Sequence, residues 1–123
     1  MLRLFSLFGR SPTLTALDDA LRGAGVHPLL VPEAVKLTVV RLHRPQGAEP
    51  GRFNAAAELL AFCMLGREPF VEANGPGAAD RADRRLEDAI EAGDSRDAKL
   101  VLLALHAGLL AAEIADRIDT ESS

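Results

Sequence analysis

The chain has 123 residues, a formal net charge of −4 and one cysteine, Cys63. That length suits one domain able to bury roughly two-thirds of the surface its unfolded chain exposes, so folding requires neither a metal nor a disulfide, and a lone thiol excludes an intramolecular one. Trp and Tyr are absent and the sequence pI is about 5.3, which argues against a nucleic-acid partner that needs basic stripes and stacking platforms.

Residues 1–10, MLRLFSLFGR, are apolar except for one stripe of Arg3, Ser6 and Arg10. They lack the longer apolar core and small-residue cleavage site of a secretion signal. Residues 1–11 read as a docking segment, with Leu4, Phe5 and Phe8 as candidate interface residues. Residues 12–23 form the first clear helix, because Leu14, Leu17 and Leu21 recur at helical spacing and Gly23 and Gly25 signal its end. Pro32 suits the first turn of a second helix carrying Val35, Val39 and Leu42, and Pro45 ends it. Residues 46–51 are a loop.

Residues 52–65 form the third helix and are apolar on nearly every side. Phe53, Ala56, Ala57, Leu60, Cys63 and Met64 lie on one side, Ala55, Leu59 and Phe62 on the other, and Asn54 and Glu58 make a narrow polar stripe. Gly66 closes it. Residues 68–73 predict a short helical turn and residues 74–77, Asn-Gly-Pro-Gly, a firm break. Residues 78–92 predict an amphipathic helix with Ala79, Ala82, Leu86 and Ile90 inward. Asp80, Arg84 and Asp88 are spaced for i, i+4 pairs along it.

The last helix begins at Asp94 or Ser95 and includes residues 100–112, LVLLALHAGLLAA, which carry no formal charge. At thirteen residues this run is well short of the ~20 a bilayer span needs. Leu100, Leu103, Ala107, Leu110, Ile114 and Ile118 make one stripe, so a single helix through residue 118 is expected, enclosed by protein. Residues 119–123 are expected to fray. No segment alternates as a strand does. The fold class that follows is all-α: one domain over residues 1–123, a compact bundle of about five helices around an apolar central C-terminal helix, with a short apolar N-terminal segment.

Few residues suggest chemistry. His106 in the apolar run reads as a buried neutral imidazole with a hydrogen-bond partner. In size and class the chain resembles helical histidine-phosphotransfer domains, but their motif puts Lys and Gly shortly after the His, and here His106-Ala107-Gly108-Leu109 has no Lys. On one helix His106 and Glu113 would share a face ~10 Å apart, too far for one ion. No Glu-x-x-His occurs, and three scattered histidines give no zinc spacing. Cys63 has no local base and reads as a buried structural thiol. Glu58 reads as the strip that meets water or a neighbouring arginine. Gly75-Pro76-Gly77 reads as a turn, because Asp80 and Asp83 would repel an anion at the following helix.

Residues 1–52 hold seven cationic against four anionic side chains, the remainder seven against fourteen, an imbalance expected to cancel where the two parts pack. Lys36, Arg41, Arg44 and Arg52, with His43, read as a solvated helix end rather than a nucleic-acid patch, because the domain is acidic and has no recognition helix. Abundant Ala and Arg over Lys fit a GC-rich bacterial gene, and the single thiol fits a cytoplasmic setting. The expectation is a helical interaction or assembly module without catalytic activity, cofactor, metal or small-molecule ligand, associating as a homodimer or with a protein partner. Its rivals are a metal-binding protein or enzyme with a polar site at Glu58, His106, Glu113 and Cys63, and a peripheral membrane protein anchored by residues 1–10.

Overall fold

The computed structural model describes residues 11–43 and 51–122, with side chains through Asp119. Among them are seven α-helices, one 3-10 turn and no strand. The candidate interface residues Leu4, Phe5 and Phe8, and Arg44 of the basic group, lie outside the described residues. The helices are α1 (Pro12–Gly23), α2 (Glu33–Leu42), α3 (Asn54–Leu65), α4 (Arg67–Asn74), α5 (Pro76–Ala92), α6 (Arg96–His106) and α7 (Ala112–Ser122). The 3-10 turn, Pro28–Leu30, lies between α1 and α2.

Local chemistry sets these boundaries. Ser11 caps α1, its Oγ accepting from the Leu14 amide at 3.0 Å, and Pro12 supplies a fixed φ in the first turn. Ser95 caps α6 in the same way, accepting from the Ala98 amide at 3.0 Å, with Asp97 in the first turn. The His27 imidazole caps the 3-10 turn, Nδ1 accepting from the Leu29 amide at 3.1 Å. Single glycines join α3 to α4 and α4 to α5. Gly66 (φ 85°, ψ 171°) and Gly75 (φ 91°, ψ 160°) occupy backbone space open essentially to glycine alone. Each ends one helix and begins the next. The break expected over residues 74–77 is therefore one residue wide, and Pro76 and Gly77 already belong to α5.

The centre of the bundle is α3, not a C-terminal helix. It packs against α1, α4, α5 and α6, and buries Ala56, Ala57, Leu59, Leu60, Ala61, Phe62 and Cys63. This is the enclosure its all-round apolarity demands. Phe62, a candidate interface residue, is 1% exposed and meets Phe70 of α4 edge-on, ring centroids 5.4 Å apart. It is core rather than contact surface, because α4 folds back over it.

The C-terminal run differs most from expectation. It is two helices, not one. α6 stops at His106, and Gly108 takes a left-handed φ of 72°. The Leu109 amide then donates to Ala104 O at 3.0 Å and the Gly108 amide to Leu105 O at 3.1 Å, the paired bonds of a Schellman motif. The reversal turns Leu109, Leu110, Ala111, Ile114 and Ile118 back against the core. Ala111 donates to Cys63 O at 2.8 Å, satisfying one of the carbonyls that α3 leaves open at its end. α7 continues to Ser122, through residues expected to fray.

Candidate functional site

The bend removes the premise on which His106 was placed inside the bundle. α6 buries Ala98, Leu100, Val101 and Ala104, and His106, its last residue, is exposed. Glu113 opens α7 and is exposed too. Its Oε2 accepts from the Arg67 amide at 3.4 Å, and a Cβ on Gly66 would stand 2.7 Å from its Oε1. Glu113 is thus a carboxylate set at the N-terminus of α4, where the helix dipole favours it.

Glu58 of α3 is paired with Arg81 of α5, Oε2 to Nη2 2.9 Å and Oε1 to Nε 3.4 Å. Cys63 is fully buried, and burial pushes its thiol up to about 12, far from a usable nucleophile. Glu58, Cys63, His106 and Glu113 therefore have separate surroundings. Among the described residues, no three His, Cys, Asp or Glu side chains converge as a metal site.

The basic group disperses as well. Lys36 is 4% exposed, its Nζ 3.0 Å from Asp18 Oδ1, and clamps α2 to α1. His43 is buried, with Nδ1 2.9 Å from Val39 O and its ring edge-on to Phe53. Arg52 lies over the same Phe53 ring, 4.6 Å from its centroid.

The polar face of α5 binds its neighbours together. Arg67 of α4 reaches Asp80 at 2.7 Å and Asp83 at 3.4 Å. Arg117 of α7 reaches Asp83 at 2.9 Å. Arg85 grips both carboxylate oxygens of Asp97 at 2.9 Å and donates to Ala55 O at 2.7 Å. Asp80 thus meets another helix, where spacing alone pointed to Arg84. Asp18–Lys36 lies within residues 1–52 and the pairs of Arg67, Arg81, Arg85 and Arg117 all lie beyond, so these charges are met inside each part rather than across the two.

One cleft of about 500 Å³ lies between α1, the turn before α3 and the end of α4. Asp19, Arg52, Asn54, Glu58 and Asn74 supply its polar lining. Its size falls in the range of small-molecule sites. Four of these five are already engaged: Asp19 with Arg22, Glu58 with Arg81, Arg52 over Phe53, and Asn74 Nδ2 donating to Ala24 O at 2.8 Å. Its lining offers no His, Cys, Ser or Lys to act as nucleophile or neutral-pH base.

The remaining surface feature is apolar, and periodicity could not have found it. Leu29 and Leu30 on the 3-10 turn are 84% and 62% exposed, Leu37 on α2 46% and Leu102 on α6 43%. α2 packs on both α1 and α6. No helix among the described residues is long and apolar enough to cross a membrane. No protein family, characterised protein or solved structure matches the chain.

Proposed function

We propose that this chain is a non-catalytic helical interaction module whose first partner is a second copy of itself. The outward leucines carry the reading: Leu29, Leu30, Leu37 and Leu102 leave large apolar side chains in water on connected elements. Covering them recovers at most about 1.5–3 kcal/mol each. Association costs about 4–15 kcal/mol in lost freedom and ordering. These ranges overlap, so the expected self-association is weak and reversible, not an obligate assembly. A site of enzyme type has less support, because Glu58, Cys63, His106 and Glu113 have separate surroundings and the cleft's lining offers no His, Cys, Ser or Lys.

Sedimentation or light scattering over the micromolar range tests this. The native chain should approach twice its mass as concentration rises. The double variant Leu29→Ser, Leu37→Ser should remain at chain mass with an unchanged helical circular dichroism spectrum. A native chain that stays monomeric throughout overturns self-association.

A further inference from the structure

We propose that two copies of this chain exchange α7 by straightening at Gly108, so that each α7 packs on the partner's α4–α5 face. The inference rests on the self-association reading and adds to it what the partner contributes.

The C-terminal sequence supports two geometries. Leu100, Leu103, Ala107, Leu110, Ile114 and Ile118 continue one helical stripe across the bend, and no proline interrupts residues 96–122. What stops the helix is Gly108 in the left-handed region, with its two Schellman bonds. Straightened, residues 96–122 form one helix ~40 Å long, and the amides and carbonyls of that motif pass into ordinary helical bonds. The Ala111 amide leaves Cys63 O in doing so and joins the same ladder.

The anchors of α7 are portable. Ile114 fills the core, Arg117 pairs with Asp83 at 2.9 Å and Glu87 at 3.8 Å, and Glu113 accepts from the Arg67 amide. Every partner in that set belongs to the body of the protein, so an identical α7 from a second copy restores each contact. Exchange of an identical element about a short hinge is a low-cost route to a dimer.

Gly108→Ala and Gly108→Asn separate the geometries. Alanine resists the left-handed conformation and favours helix, moving each hinge roughly 30-fold toward straight. The exchanged dimer has two hinges, so its association constant should rise by up to about a thousandfold. Asparagine tolerates the left-handed conformation and should behave as the native chain does. In both backgrounds, Glu87→Cys with Arg117→Cys and a short bis-maleimide reports which chain supplies α7, while buried Cys63 stays unreacted. On a denaturing gel, exchange gives a product of twice the chain mass for Gly108→Ala, and Gly108→Asn gives chain mass when dilute.

A Gly108→Ala dimer cross-linked only within chains overturns exchange and leaves self-association standing. Unchanged association in Gly108→Ala overturns exchange as well. Monomers in every variant, native included, overturn both. If Gly108→Ala fails to fold, the otherwise native chain carrying the two cysteines is refolded at high concentration. It should then yield the product of twice the mass, and chain mass alone counts against exchange.

Discussion

Two stretches of this protein look alike in sequence and meet different fates. Asn54–Leu65 and residues 100–112 are both apolar on nearly all sides. The first is the centre of the bundle, with four helices around it. The second is bent in the middle, and Leu102 and His106 face outward. Apolarity states that burial is favourable. It does not state that enough neighbours exist to supply it. A domain this small can surround one helix completely, and α3 takes that place because single-glycine turns at Gly66 and Gly75 fold α4 and α5 directly onto it.

The contrast breaks most sharply under truncation. Phe62→Ala in α3 removes a ring that is 1% exposed and packed on Phe70, and should cost about 3–5 kcal/mol in urea or thermal unfolding. A loss below about 1 kcal/mol would show that α3 is not the enclosed helix.

Alkaline titration tests the same enclosure through Cys63. Its pKa is raised from 9.0 in the unfolded chain to about 12 by burial. The fold holds the proton more tightly than the unfolded chain does, so this contribution is complete below pH 9.0 and is lost as pH rises toward about 12. The native chain should lose stability over that window faster than Cys63→Ala. Equal slopes would mean that the thiol is not desolvated.

Gly66→Ala addresses the turn that makes α3 central. A side chain there meets both a forbidden φ and the Glu113 carboxylate, and should cost about 1–3 kcal/mol. Adding Glu113→Ala should recover only the steric part. Full recovery would mean the backbone is unstrained. The smallest effect is expected at Leu102→Ser, within about 0.5 kcal/mol for the monomer, as for surface positions generally. A loss several times larger in dilute solution would mark α6 as buried like α3.

Much of the fold was legible because its causes are local. Ser11 and Ser95 act on amides three residues away, and Gly23, Gly25, Gly66 and Gly93 lie at or just beyond helix ends. Gly108 belongs to the same class of stop, but the stripe of Leu100, Leu103, Ala107 and Leu110 runs unbroken across it, and periodicity alone reads one helix. His106 and Glu113 were joined by that assumption of continuity. Once Gly108 reverses the chain, the helix they would have shared no longer exists. Cys63 was legible as a buried thiol because it lies on the apolar side of a helix whose polar stripe is only Asn54 and Glu58.

The sequence by itself determined an all-helical chain, the placement of most helices, and the apolarity of α3. These follow from spacing, capping and turn chemistry within a few residues. Tertiary structure alone decided which apolar helix is enclosed, which arginine meets which carboxylate, and which leucines remain outside. Arg67 reaches Asp80 across thirteen residues and Arg81 reaches Glu58 across twenty-three, distances over which periodicity carries no information. Such pairings are set by how helices cross, and the crossings depend on the whole set of packed faces at once.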